Sequence, residues 1–162
     1  MDFVLIRVDN RLVHGQILEA WVPSVKASCI MVVDDEVAGD FFRETVIKMA
    51  VPREIEVLIF SMEEFSLLGK SMQTGGKKTI LLFSNVHDAY TAYMKGFKYP
   101  ALNIGNVYND SGKACSTSIC LNDRDFEEVR SLSDSGVSVE LRCVPRDKPV
   151  NFRDILKKFN TA

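Results

Sequence analysis

Short, nearly continuous apolar runs alternate along the chain with segments in which apolar residues recur at helical spacing. Apolar runs without a regular polar alternation are typical of parallel strands that are buried on both faces. We predict seven strands on this basis, at residues 3–8, 29–33, 55–60, 79–83, 101–104, 117–121 and 137–143. The alternation predicts an α/β protein, a three-layer α/β/α arrangement around a mostly parallel open sheet.

The predicted helices fall between the strands and carry apolar residues three or four positions apart. One such stripe follows His14, and others lie at 86–97 and 152–159. Ser61 and Glu64 have the spacing of a capping box at the start of another helix. No repeat or linker-like segment divides the chain, so we predict a single domain over residues 1–162.

Composition and charge exclude several classes of protein. The 162 residues carry 20 basic and 22 acidic side chains, a net charge of −2, which gives no electrostatic case for a nucleic-acid partner. No apolar stretch approaches the length of a membrane span, and no basic segment precedes the first strand as in a signal peptide. We therefore expect a cytoplasmic protein. Its four cysteines form no C-x-x-C pair, and with two histidines they predict no metal site.

His14 lies where the first strand is expected to pass into the first helix, in the segment R-V-D-N-R-L-V-H-G-Q of residues 7–16. Ligand sites of parallel α/β sheets lie beyond the carboxyl ends of the strands. A neutral imidazole is a good nucleophile near pH 7, and Arg11 with the N–H groups of a helix start can hold a dianionic phosphoryl group on it. The segment therefore suits a histidine that carries phosphate, with a purely structural histidine as the alternative.

Three other polar positions at predicted strand ends are open to two interpretations. Asp34 and Asp35 could bind magnesium or accept protons, but we favour the interpretation that they stabilise the start of the next helix. The N-I-G-N segment at 103–106 is either a turn or part of a phosphate site. We interpret His87 as structural, because no arginine or glycine surrounds it in the sequence.

The segment at 7–16, with Trp21 five residues further on, is distinctive in sequence. V-V-D-D-E at 32–36, M-A-V-P at 49–52, N-I-G-N at 103–106 and V-P at 144–145 follow it in order. Together they resemble the IIB components of the mannose/fructose/sorbose group of the bacterial sugar phosphotransferase system. The resemblance covers nearly the whole chain.

The resemblance implies that His14 accepts a phosphoryl group from a IIA component and passes it to a hexose-type sugar during uptake through membrane components IIC and IID. It implies an enzyme, a phosphohistidine–sugar phosphotransferase, located in the cytoplasm beside the permease. No cofactor is expected besides the covalent phosphohistidine. Arg11, Gly15 and Gln16 are expected to hold the phosphoryl group. The positive charge of Arg7 is expected to help dock IIA, because phosphorylated IIA carries added negative charge.

Two other functions are compatible with the same sequence: a regulatory phosphocarrier without sugar transport, and an α/β ligand-binding module without phosphoryl chemistry. The sugar and a homo-oligomeric state stay open. Ser84 and Asn85 stand where members of the family often carry Lys or Thr with a nearby Pro, which leaves the role of that loop open. Asp9 would repel phosphate, so we assign it to loop structure or to a pair with Arg7 or Arg11.

Overall fold

The computed structural model describes residues 2–68, 72 and 76–160. Its main sheet has seven strands in the order β3-β2-β4-β1-β5-β8-β9. These are β1 (Asp2–Val8), β2 (Cys29–Val33), β3 (Glu56–Phe60), β4 (Lys78–Phe83), β5 (Ala101–Ile104), β8 (Ser138–Leu141) and β9 (Val150–Asn151), while β6 (Lys113–Ser116) and β7 (Ile119–Leu121) form a separate hairpin. All neighbours in the main sheet are parallel except β8 and β9, which confirms the predicted mostly parallel open sheet.

Helical segments lie at all three predicted apolar stripes, although the one predicted at 86–97 ends at Met94. A π-helical turn (Gln16–Trp21) runs into α1 (Val22–Val25), and the others are α2 (Asp35–Ala38), α3 (Phe41–Ala50), α4 (Met62–Leu68), α5 (Val86–Met94), α6 (Asp123–Asp134) and α7 (Phe152–Asn160). Ser61 and Glu64 form the predicted capping box, because each side chain accepts a hydrogen bond from the other residue's backbone N–H, at 3.1 and 2.8 Å. None of these helices is long and apolar enough to cross a membrane.

Two hydrophobic cores lie on opposite faces of the sheet, as a three-layer arrangement requires. One core packs Phe65, Val86 and Phe126 against one face, and the other packs Ile17 and Trp21 against the opposite face. The first helical segment after β1 is therefore anchored directly under the sheet, and the loop that joins them is held from both ends.

The strand predicted at 117–121 is shorter than expected and lies outside the main sheet. Only Ile119–Leu121 is extended, and it pairs antiparallel with β6. Ile119 and Leu121 are buried while Cys120 between them is only half-buried, so the segment has the alternation of a strand covered on one face. The short edge strand β9 was not predicted from the sequence.

Candidate functional site

Arg7, at the end of β1, is a fully buried arginine whose side chain is bonded on every side. It lies opposite Asn103 of β5 and donates to the Asn103 amide oxygen at 2.5 Å. Its Nε and Nη2 donate to Asp9 Oδ2 at 3.2 and 3.0 Å, two residues along the same chain. It also donates to the backbone carbonyls of Arg142 and Cys143, at 2.8 and 3.0 Å. Arg7 therefore joins β1 and β5 to the loop that follows β8.

The space for this guanidinium exists because residue 105 is glycine. A Cβ atom at Gly105 would lie 1.9 Å from Nη2 of Arg7, far inside contact distance. The guanidinium also lies over the indole of Trp21, with its carbon 5.3 Å from the ring centre. The Trp21 Nε1 donates to the Cys143 carbonyl at 2.9 Å. The N-I-G-N segment thus serves the site by packing around Arg7.

Asp9 connects this buried arginine to His14. Its Oδ2 lies 2.9 Å from His14 Nε2, and the same oxygen accepts from Asn106 Nδ2 at 3.0 Å. Its Oδ1 accepts from the backbone N–H of Arg11 at 2.9 Å. Burial alone would raise the pKa of Asp9, but the hydrogen bond from His14 and the charge of Arg7 outweigh it and hold that pKa below its ordinary value. The carboxyl group is therefore ionised and accepts hydrogen bonds.

The ionised Asp9 fixes the tautomer of a neutral His14. Because a carboxylate only accepts, the Nε2 atom of His14 must carry the proton, and Nδ1 must carry the lone pair. Nδ1 is buried and has no hydrogen-bond partner among the described residues. A buried acceptor without a partner is uncommon in native structures and is expected where the atom has a chemical role.

A cavity of about 540 Å³ opens beside His14. One wall consists of Arg11, His14, Gly15, Gln16, Glu19 and Ala20, which we call the first wall. The second wall consists of Val144, Pro145 and Arg146, from the loop after β8. The carboxyl ends of β1 and β8 thus frame one concave site, at the edge of the sheet where ligands of this fold class bind.

The backbone around His14 has two irregular features. Leu12, which is buried, has φ of 55°, a left-handed conformation that is strained for a branched residue. The helical segment after His14 is a π-helix, whose first N–H groups, from Ile17 and Leu18, bond to the His14 carbonyl at 3.0 and 3.1 Å. Gly15 and Gln16 lie at the start of this helical segment, where backbone N–H groups without an intrahelical partner can bind an anion. Both π-helical turns and strained residues concentrate at functional sites.

The family of the chain can be read from its sequence and fold. The family model described as "PTS system sorbose subfamily IIB component" matches residues 3–162. The chain belongs to this family. It is a sorbose-type IIB component of the sugar phosphotransferase system, as the resemblance around His14 had indicated.

Two curated relatives and one solved structure illustrate the likeness. The IIB component is 31% identical to the PTS system fructose-specific EIIB component of Bacillus subtilis, over 97% of both chains. It is also 31% identical to the PTS system sorbose-specific EIIB component of Klebsiella pneumoniae, over 95% of this chain and 94% of that one. The crystal structure of the IIBSor domain of the sorbose permease from Klebsiella pneumoniae superposes with a TM-score of 0.88 at 30% identity, over 98% of each chain.

The residues singled out in the sequence of this IIB component fall into two groups. Arg11, His14, Gly15 and Gln16 line the cavity together. Arg7 does not, because its side chain is fully buried beneath the site. Its side chain therefore offers no surface for direct contact with a docking partner, and the expectation that its charge helps to dock IIA stays a prediction.

Three residues of the site were missed or only partly understood from the sequence. Asp9 does pair with Arg7, but its hydrogen bond to His14 was not foreseen. Asn106 was foreseen only as part of a motif, and it bonds both Asp9 and the Gln16 side-chain oxygen, the latter at 2.9 Å. No motif in the sequence singles out Arg146. The available signal was its position just after a strand whose end lies at the same edge of the sheet as His14.

The acidic residues after β2 stabilise helix starts, in agreement with the interpretation we favoured. Asp34 accepts from the Val37 N–H at 2.9 Å and caps α2, and Asp35 accepts from the Met62 N–H at the start of α4 at 2.8 Å. Ser84 donates to the free oxygen of Asp34 at 2.5 Å. Among the described residues, no group of His, Cys, Asp and Glu side chains could hold a metal ion.

Proposed function

We propose that this IIB component carries a phosphoryl group on Nδ1 of His14, taking it from a phosphohistidine of a IIA component and passing it to a sugar. The observation that carries the proposal is the hydrogen bond between His14 Nε2 and the buried Asp9 carboxylate, which leaves Nδ1 as the nucleophilic nitrogen. IIC and IID membrane components are the partners at which the sugar would be reached, and a cytoplasmic position beside them is part of the proposal.

The first transfer needs no exchange of protons between the two rings. The lone pair of His14 Nδ1 forms a bond to phosphorus while the N–P bond of the donor histidine breaks and its electron pair returns to the donor ring. A donor ring that is protonated on its second nitrogen leaves as neutral imidazole. The His14 ring becomes a phosphorylated imidazolium, whose Nε2–H faces the negative Asp9. The carboxylate thus stabilises the positive charge that forms on His14.

Residues that line the cavity can screen the negative charge of the phosphoryl group. Arg11 lines the same cavity as His14 and can offer a guanidinium fork to the phosphoryl group. The N–H groups of Gly15 and Gln16 lie at the start of the helical segment. A Cβ atom at Gly15 would meet no described atom within 4 Å, so the glycine leaves open space beside the nucleophile. In the second transfer the sugar hydroxyl oxygen bonds to phosphorus, the N–P bond breaks, and the hydroxyl proton passes to a base or to water.

The proposal is tested by phosphorylating the protein with phosphoenolpyruvate, the upstream carrier proteins and a IIA component. We expect label on His14, stable to base and labile to acid as a phosphoramidate is. His87→Gln serves as the matched control and should be labelled like the wild type, whereas His14→Gln should not be labelled. Label on His87, or on no residue of the wild type, would contradict the proposal and favour a ligand-binding module.

A further inference from the structure

We propose that Arg146 is a second phosphoryl-binding residue of this site, acting from the second wall of the cavity while Arg11 acts from the first. The inference deepens the proposed function and rests on it, because the group that Arg146 binds is the one carried by His14. Neither the sequence motif around His14 nor the loop sequence after β8 assigns Arg146 this role.

The two guanidinium groups are free to bind an anion. The side chains of Arg11 and Arg146 are exposed, and neither makes a hydrogen bond or ion pair with any described residue. Glu19 is the one acid among the residues that line the cavity, so the charged lining apart from His14 is two cations and one anion. A dianionic group between the two arginines would therefore meet an excess of positive charge.

The turn that carries Arg146 is held in place from within. Arg142 donates from Nε to the Asp147 carbonyl at 2.8 Å and from Nη2 to the Pro145 carbonyl, and the Asp147 N–H bonds to the Val144 carbonyl at 3.1 Å. The Arg142 guanidinium in turn lies over the Trp21 ring, 5.7 Å from its centre. A cation on a fixed turn loses less conformational freedom on binding than one on a mobile loop.

The same buried residue positions both walls. Arg7 bonds to Asp9, which holds His14, and to the carbonyls of Arg142 and Cys143, which precede the turn of Arg146. Arg7 therefore links the residue that holds the nucleophile to the backbone that leads into the turn of Arg146. An arginine on each wall suits the transition state of phosphoryl transfer. Its negative charge is spread over three oxygens, and two guanidinium forks can bind them from different sides.

The test measures the rate at which labelled phosphate passes from a IIA component to His14. Arg146→Ala should slow the transfer roughly 10- to 100-fold, and Arg146→Lys should recover part of it, because a point charge replaces a fork. Arg53→Ala is the matched control: Arg53 is also an exposed arginine in a loop, but it precedes β3 and so lies at the opposite edge of the sheet. The phosphorus-31 chemical shift of phosphorylated His14 should move in Arg146→Ala and stay unchanged in Arg53→Ala.

The outcomes separate this inference from the proposed function. If the wild type takes no label on His14, the proposed function fails and the inference fails with it. If the wild type is labelled and Arg146→Ala matches it in rate and chemical shift, the proposed function stands and the role of Arg146 is overturned. A slower rate with an unchanged chemical shift would also overturn it, because Arg146 would then act on the donor protein or on stability rather than on the phosphoryl group.

Discussion

The protein has two histidines, and each pairs with a carboxylate at the same edge of the sheet. In the loop after β1, His14 Nε2 lies 2.9 Å from Asp9 Oδ2. At the start of α5, which follows β4, His87 Nδ1 lies 2.7 Å from Oε1 of Glu128 in α6. The His14 side chain is 7% exposed and Asp9 is fully buried, whereas the His87 side chain is 46% exposed. A histidine–carboxylate pair alone therefore does not distinguish the candidate site.

The difference lies in what stands behind and in front of each pair. Behind Asp9 is the buried Arg7. His14 itself lines a cavity, and its Nδ1 is buried with no hydrogen-bond partner in the part of the chain that the structure describes. At His87, Arg124 from the surface approaches both ring nitrogens, at 2.7 and 2.9 Å, and it also pairs with Glu128. The first arrangement fixes one nitrogen and leaves the other free, while the second occupies both. That contrast is what makes His14 the candidate nucleophile.

The largest expected effect is on stability, and it comes from removing the arginine that bonds to the carboxylate of the His14 pair. The matched variant removes the arginine that bonds to the carboxylate of the His87 pair. Arg7→Ala leaves Asp9 buried without its cation, so we expect a loss of about 3–5 kcal/mol in the free energy of unfolding. Arg124→Ala removes a guanidinium that is 63% exposed, and we expect a loss below about 1 kcal/mol. Denaturant titration of both variants measures the difference. Similar losses would mean that burial does not distinguish the two pairs.

Removing the cation in front of His14 should affect the rate of transfer rather than the stability. Arg11→Ala should slow phosphoryl transfer by about 2–4 kcal/mol in activation free energy, because a charged contact to the transition state is lost. Arg11→Lys should restore only part of the rate. Arg124→Ala is the control beside the other histidine, and its transfer rate should equal that of the wild type. Equal rates for Arg11→Ala and the wild type would remove Arg11 from the mechanism.

Two glycines near His14 are expected to respond differently to a methyl group. Gly105 packs against the Arg7 guanidinium, whereas Gly15 lines the cavity. Gly105→Ala would push a methyl group into the locked Arg7 guanidinium, and we expect it to destabilise the protein by about 1–3 kcal/mol. Gly15, with φ of −51°, is helical and has open space, so Gly15→Ala should leave stability within about 1 kcal/mol of the wild type. It should nevertheless slow transfer, because the methyl group occupies space that we assign to the phosphoryl group. Thermal unfolding and the labelling rate check both statements.

The sequence predicted the parts of this molecule that follow from local pattern. The apolar runs located the main-sheet strands up to β8, and the motif around His14 located the cavity-lining residues Arg11, Gly15 and Gln16. These signals lie within one segment of chain, where periodicity and capping preferences act directly. The hairpin strand β7 was misplaced because a short apolar run does not show which strand it pairs with.

The parts that the sequence could not show depend on contacts between distant segments. Burial of Arg7 requires the register of β1 with β5, which places Asn103 opposite it. It also requires a glycine at position 105, which leaves space for the guanidinium, and two carbonyl acceptors from the loop after β8. An arginine beside a predicted phosphate site is more simply interpreted as exposed, since buried charges are uncommon unless they are paired. Arg146 could not be placed either, because only the topology of the sheet brings the end of β8 to His14.

The smallest expected effect is a change with pH, and its sign differs between the two regions. The pKa of Asp9 is held below its ordinary value of 3.8, so its stabilising contribution is complete above pH 3.8 and is lost as the pH falls through the lower, folded-state pKa. Burial, with added repulsion from Asp34 and Asp35, instead raises the pKa of Asp88, the residue after His87. The charge of Asp88 therefore destabilises the folded protein above that raised pKa, and this effect is removed as the pH falls towards 3.8.

Denaturant titration from pH 7 to pH 3 distinguishes the Asp9 carboxyl from the Asp88 carboxyl. The free energy of unfolding of Asp9→Asn and of Asp88→Asn is compared with that of the wild type at each pH. Asn cannot titrate, so the stability advantage of the wild type over Asp9→Asn should shrink as the pH falls below 3.8. Against Asp88→Asn, the wild type should gain stability as the pH falls from neutral towards 3.8. Opposite slopes would show that Asp9 is held as an anion by Arg7 and His14. Parallel slopes would mean that Asp9 is an ordinary buried acid, and the argument that it fixes the His14 tautomer would fail.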